Sequence, residues 1–232
     1  VPARHGLAVT FPHPRYRGAT RAVGPNGDSM RIGVDANRLL RTNKFGIQHH
    51  GSEVLKSMVA KHGVEVVFYF DEAITREPDY SEALASELGD AARLVGLRTR
   101  GRTVSTARWL WWNWYLPRAG RRDGIDAFYG FAEAVPRSKA FRRAVVIHDL
   151  RPLNLMSWND GDKQVEQVRR HVMWSIRNAT RVLAVSDMTR QEILKQSTRS
   201  FESEDVAIVP NAVRPVFRAA RDGVERLATL RE

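Results

Sequence analysis

His148 closes a run of small and β-branched residues, Ala144-Val145-Val146-Ile147, and is followed by Asp149-Leu150-Arg151-Pro152. A histidine at the carboxyl end of a buried strand can exchange a proton or a hydrogen bond with a substrate hydroxyl, or can bond to nearby backbone. Neighbours along a strand point to opposite sides, so His148 and Asp149 serve one ligand only if the strand ends before them. A second locus is Asn43-Lys44-Phe45-Gly46-Ile47-Gln48-His49-His50-Gly51, a glycine-bearing loop that opens a helix. Glycine lets backbone approach a ligand, and the N–H groups of a helix start favour an anion such as a diphosphate. Plain turn chemistry explains Gly46 as well, and the loop is neither G-x-G-x-x-G nor a Walker A sequence. His49 and His50 lack a second ligand in metal-site spacing; Glu53, four residues after His49, does not complete one, so no metal is expected. Ser186-Asp187 reads as a helix cap, since a serine nucleophile elbow needs G-x-S-x-G. The chain has no cysteine, which excludes a thiolate zinc site, a cysteine nucleophile and a disulfide framework.

Charge narrows the partners. The 232 residues carry a net charge of +11, with 31 Arg and 6 Lys among the bases. Such a chain is drawn to polyanions, whether nucleic acid or an anionic membrane surface. The excess is local: residues 98–143 alone carry +8. The same stretch holds Trp109, Trp111, Trp112 and Trp114, four of the six tryptophans. At helical spacing Leu110, Trp111, Trp114 and Tyr115 share one face that packs on a sheet, which leaves Trp109 and Trp112 to find another partner. Trp112 with Arg118, Arg121 and Arg122 forms a candidate membrane or acceptor patch, because indoles and guanidiniums favour the headgroup layer. No helix-turn-helix, RNP or zinc pattern supports nucleic acid as the partner, although a basic nucleic-acid-binding protein and a non-catalytic partner domain are the rival readings. No run of ~18 apolar residues is present, and the start lacks the apolar core of a signal peptide. The expectation is a cytoplasmic protein, peripheral at the inner face of the membrane.

These loci need a scaffold. Residues 1–29, with Pro2, Pro12, Pro14 and the Pro25-Asn26-Gly27 turn, read as a disordered or non-native extension, and Met30 as the natural start. Strands are expected at Ile32–Asp35, Val64–Phe70, Ala91–Leu97, Ile125–Tyr129, Ala144–His148, Arg181–Val185 and Val206–Val209. Helices are expected over His49–His62, residues 79–90 with Asp79 as cap, the Trp-rich 105–120, residues 162–179 capped by Asp162, and 187–197 capped by Ser186. Strand alternating with helix argues for an α/β fold, a Rossmann-like parallel sheet with helices on both faces. Its ligands belong at the loops beyond the carboxyl ends of the strands.

Taken in order, several segments resemble family 4 glycosyltransferases. Met30-Arg31-Ile32-Gly33-Val34-Asp35-Ala36 is similar to that family's opening strand, followed by a glycine loop at Phe45-Gly46-Ile47. Trp114–Arg118 before Asp126-Ala127-Phe128-Tyr129-Gly130 resembles its "LP…D-hydrophobic-hydrophobic-HG" stretch. Val145-Val146-Ile147-His148-Asp149-Leu150 matches its "hydrophobic-HDL" motif. Asn178–Ser186 resembles its "A-D-R-hydrophobic-hydrophobic-V-S" strand, and Val209–Phe217 its "VPNGVD…F" segment. Gln48, Ala212 and Arg214 depart from the pattern, as does the lack of His in Phe128-Tyr129-Gly130.

The resemblance implies residues 30–218 as the acceptor-side half of a GT-B enzyme, with 219–232 starting a linker or tail and the donor-binding domain absent from the chain. It implies sugar transfer from a nucleotide-sugar donor to a sugar or lipid-linked acceptor, with retention and without cofactor or metal. It places His148 at the reacting centre and Gly46 at the donor diphosphate, and it adds Ile47, Gln48, Asp149, Ser186 and Asn211 as substrate-binding positions.

Overall fold

The computed structural model describes residues 29–100, 104–150, 163–196, 201 and 205–211. The expected N-terminal extension before Ser29, the Asp162 cap, Ala212, Arg214 and the segment from 219 onward lie outside the described residues. Seven parallel strands form one sheet in the order β3-β2-β1-β4-β5-β6-β7. They are β1 Arg31–Asp35, β2 Glu65–Asp71, β3 Ala92–Leu97, β4 Ala127–Gly130, β5 Arg142–Ile147, β6 Arg181–Ala184 and β7 Val206–Ile208. The helices are α1 Gly46–His62, α2 Ala83–Leu88, α3 Val104–Leu110, α4 Leu116–Arg122, α5 Lys163–Asn178 and α6 Asp187–Gln196. This is a doubly wound, Rossmann-like α/β sheet, as the alternation of elements predicts.

Alternate strand residues face opposite layers. Val66, Phe68 and Phe70 of β2 join Ile32, Val34 and Leu55 in the core under α1 and α2. Val67 and Tyr69 face the other way, toward Leu116, Phe128, Val145, Val172 and Ile193 under the remaining helices. Burial on both faces is why the strands are continuous apolar runs rather than alternating ones. At the amino edge Arg31 ties three strands together. Its Nε donates to Glu65 Oε2 of β2 (2.9 Å), its guanidinium to the Asp123 carbonyl (2.9 Å), and its backbone N–H to Asp126 Oδ2 (2.8 Å) before β4.

Several boundaries differ from expectation for identifiable reasons. Helix α1 begins at Gly46, three residues early, because the Gln48 amide oxygen accepts the Phe45 N–H (3.0 Å) and caps the first turn. Asp79 is no cap: its carboxylate accepts from Arg41 (3.0 Å) and its carbonyl from the Thr42 N–H (2.8 Å), so α2 waits until Ala83. Ile125 precedes β4 rather than starting it, and β5 ends at Ile147, so His148 and Asp149 follow the strand.

The Trp-rich helix carries a π-helical turn, Trp111–Tyr115, in which the Leu116 N–H donates to the Trp111 carbonyl. Its buried face is Trp111, Trp112, Tyr115 and Leu116, one position on from the expected set, and Trp114 is exposed. Ala119 and Gly120 dictate that rotation. A Cβ on Gly120 would stand 2.6 Å from the Phe141 ring, so only this face fits against the sheet. Among the described residues no helix is long and apolar enough to cross a membrane.

Two glycines separate packing from function. At Gly130 a Cβ would run into the Ala134 carbonyl oxygen and Val135, whereas at Gly46 it meets nothing within 4 Å. Gly130→Ala is expected to cost about 2–3 kcal/mol in urea unfolding. Gly46→Ala, in an open helix start, is expected to change stability by under about 1 kcal/mol. Equal losses in the two variants would contradict the packing at the end of β4.

Candidate functional site

The chain leaves β1 toward the α1 layer and reaches β4 from the opposite layer, so among the described residues the connections diverge above the carboxyl ends of these two neighbours. Such a switch point is where doubly wound sheets bind ligands. Here it opens into a cleft of about 1430 Å³. Asp35 and Arg38 lie on the β1 side, and Tyr129 and Gly130 of β4 with the following Phe131, Ala132, Glu133 and Ala134 on the other. Arg108, Trp109, Trp111, Trp112, Arg137 and His171 form the far wall.

Asp35 ends β1 at the floor of this cleft. Asn37 holds it in place: its Nδ2 and its backbone N–H both donate to Asp35 Oδ1 (2.8 and 3.3 Å), and its own Oδ1 accepts the Asp71 N–H (2.8 Å). Burial pushes the Asp35 pKa up to about 6, against weaker opposing pulls from Asn37 and Arg38. Glu133 has a left-handed backbone, φ 63°, which no other non-glycine among the described residues adopts. Its N–H donates to the Val146 carbonyl (3.1 Å), while Oε1 accepts the Asp149 N–H (3.4 Å). Burial raises its pKa as well. Non-glycine residues with such backbone cluster at active sites and ligand clamps. Neither acid was singled out from the sequence. Asp35 was detectable as a charge that closes a buried strand, but the turn at Glu133 has no residue signature.

His148 sits at the α1 side of this edge. Its Nε2 lies 2.9 Å from the Phe131 carbonyl. A carbonyl only accepts, so Nε2 carries the proton and Nδ1 is the ring's acceptor. Burial lowers its pKa. His50, on the second turn of α1, meets His148 edge to face with ring centroids 5.2 Å apart. It is 1% exposed and neither ring nitrogen has a hydrogen-bond partner. Burial first, then His148, pulls its pKa down to about 4, so the pair is held neutral.

The remaining predicted residues divide. Gly46 is exposed and Ile47 half-buried at the start of α1, whereas Gln48 is buried as the cap. The helix they open reaches His148 through His50. Asp149 contributes its backbone N–H to Glu133. Ser186 caps α6 by accepting the Thr189 N–H (3.2 Å), and Thr189 Oγ1 in turn donates to the His148 carbonyl (3.4 Å). Asn211 is exposed beyond β7, two strands away from β5.

The tryptophan and arginine residues are not one patch. Trp112 is half-buried against Phe128 and His171 and lines the cleft. Arg118 covers the exposed Trp114 at 4.8 Å, Arg121 is exposed, and Arg122 pairs with Asp123 (3.0 Å) at the far end of α4.

No protein family model matches the chain, and no curated protein does. Among solved structures it is similar to the E. coli heptosyltransferase WaaC with ADP, at 12% identity and a TM-score of 0.27. That match covers 85% of this chain and 78% of that one.

The raised pKa of Asp35 has a consequence for stability. Its folded value lies above the 3.8 of an unperturbed Asp, so the native state binds the extra proton between about pH 4 and 6. The stabilisation is therefore complete below about pH 4 and is lost as pH rises through about 6, on the order of 2–3 kcal/mol. Asp35→Asn is expected to raise the melting temperature at pH 8 relative to the parent and to leave it nearly unchanged at pH 4. An equal shift at both pH values would place Asp35 in water.

Proposed function

We propose that this chain is the acceptor-binding, Rossmann-like half of a retaining GT-B glycosyltransferase. It would work with a donor-binding half that holds the nucleotide sugar. The observation that carries the reading is the placement of His148. The histidine of the Val-Val-Ile-His-Asp-Leu segment lies just past β5, orients its ring on the Phe131 carbonyl and touches the second turn of the helix that Gly46 opens. The His148 segment and the helix that Gly46 opens thus meet at one edge, although about 100 positions separate them in sequence.

The chemistry follows from that geometry. With Nε2–H committed to Phe131, Nδ1 of a neutral imidazole accepts a hydrogen bond from a sugar hydroxyl at neutral pH. The start of α1 offers backbone N–H groups and the positive end of a helix dipole to a departing diphosphate. Transfer breaks the bond between the anomeric carbon and the diphosphate oxygen and forms one to the acceptor oxygen, whose proton passes to the departing diphosphate. Neither step calls on a metal or cofactor.

The assay pairs this chain with its donor half and supplies labelled nucleotide sugars and a lipid extract. His148→Ala is expected to lower kcat about 100-fold. Full activity in the variant would remove His148 from the reacting centre.

The reading includes a peripheral position at the inner face of the membrane. Trp109 and Trp114 are 55% and 53% exposed, with Arg118 over Trp114 and Arg121 nearby. These are the amphipathic groups that enter a headgroup layer. Binding to phosphatidylglycerol vesicles is expected to weaken several-fold in Trp114→Ser and Arg118→Gln, as cosedimentation would measure; unchanged binding would sink the membrane role.

A further inference from the structure

The tryptophan-bearing wall of the cleft has a chemistry of its own. Trp109, Trp111 and Trp112 offer indole faces, and Arg108 and Arg137 stand beside them on separate elements. Arg137 is anchored there, its backbone N–H donating to the Trp112 carbonyl (3.0 Å) and its guanidinium lying over Trp174 at 4.9 Å. His171 packs between Trp112 and Trp174, with centroids at 5.2 and 6.2 Å, and its Nε2 meets the Val135 carbonyl at 3.1 Å. Both guanidiniums lie near enough to His171 to oppose its protonation, and burial opposes it more. That leaves the arginines as the lasting positive charges of this wall.

Of the cleft's other arginines, Arg41 pairs with Glu77 and Asp79 and Arg170 with Glu166, while Arg38 lies toward Asp35 and Glu133. Arg108 and Arg137 make no ion pair among the described residues. Across from them are the carboxyls of Asp35 and Glu133, acceptors for hydroxyl groups.

We propose that this cleft binds a phosphorylated sugar. Its ring lies along the tryptophans, its hydroxyls bond Asp35 and Glu133, and its phosphate bridges Arg108 and Arg137. The assignment rests on the glycosyltransferase reading and names the class of its acceptor. Indoles beside carboxyls suit a molecule with an apolar ring face and hydroxyl edges. Two guanidiniums from different elements suit a dianionic phosphate, since one bidentate arginine satisfies a carboxylate. The volume exceeds that of an ordinary small-molecule pocket and leaves room for a second ring or a diphosphate.

The test follows tryptophan fluorescence of the full 232-residue chain during titration. The probes are glucose, mannose and galactose, their 1-phosphates, glucuronate and inorganic phosphate. Phosphatidylcholine vesicles with and without a polyprenyl-diphosphate hexose form a second arm. The expected result is saturable binding of at least one hexose phosphate, or of the loaded vesicles, at least about tenfold tighter than the matching free sugar. Arg108→Gln with Arg137→Gln is expected to erase that tenfold preference while thermal melts show an intact fold, and Lys61→Gln at the far end of α1 is expected to preserve it. Binding of the soluble phosphates assigns a free sugar phosphate, and binding of loaded vesicles alone assigns a lipid-borne one; either supports the site. Glucuronate binding as tightly as the best hexose phosphate, no phosphorylated sugar exceeding its free counterpart, or a preference that survives the double variant would each overturn it. Sugar transfer onto an uncharged acceptor, with no phosphate preference, would overturn this site and spare the transferase reading. Phosphate-dependent binding with no transfer in the paired assay would do the reverse.

Discussion

Strand β1 is hydrogen-bonded in parallel to β2 on one side and to β4 on the other, and the carboxyl edge depends on that double pairing. It tolerates only glycine at its centre: a Cβ on Gly33 would meet Ile125 at 2.7 Å, Tyr69 at 3.0 Å and Phe128 at 3.3 Å. Once β1 and β4 lie side by side, their connections must depart to opposite layers, and the space between them stays open. Asp35 is at the floor of that space because it is the last residue of β1. Its raised pKa thus follows from topology: a strand end beneath diverging loops is buried without being enclosed.

Beyond the strands, Phe131–Glu133 divides the edge in two. On the α1 side burial keeps two imidazoles neutral, one fixed by a carbonyl and the other without a partner. On the other side indoles and guanidiniums dominate. Glu133 joins them, since its carboxylate lines the cleft while accepting from the backbone that follows His148. The left-handed backbone at this residue costs on the order of 1 kcal/mol, and its bond to Val146 of β5 offsets part of that. A change at Glu133 would therefore be felt on both sides at once.

Much of the sheet was legible in the sequence because parallel strands buried on both faces announce themselves as β-branched runs. Ile32–Asp35, Val64–Phe70 and Arg181–Val185 fall within a residue or two of the observed strands. His148 was legible for the same reason, as a polar residue that closes such a run. What failed depended on contacts distant in sequence. Asp79 looks like a cap until Arg41, 38 residues earlier, claims its carboxylate. Gln48 looks like a departure from a glycine loop until its amide is seen to cap the helix. Asp35 could have been read by the rule that exposed His148, whereas Glu133 depends on a turn that no residue type encodes.

The Trp-rich segment shows how one packing constraint serves two surfaces. Gly120 and Ala119 allow close approach to Phe141 and Ile125, and this fixes the rotation of α4. The π-helical turn carries that rotation back to Trp111 and Trp112, which line the cleft, and away from Trp114, which stays more than half exposed. A uniform helix with the face expected from spacing alone would have buried Trp114 and turned Trp112 to solvent. The site's aromatic wall is thus set by two small residues on the next turns of the same helix, where no ligand contact would draw the eye.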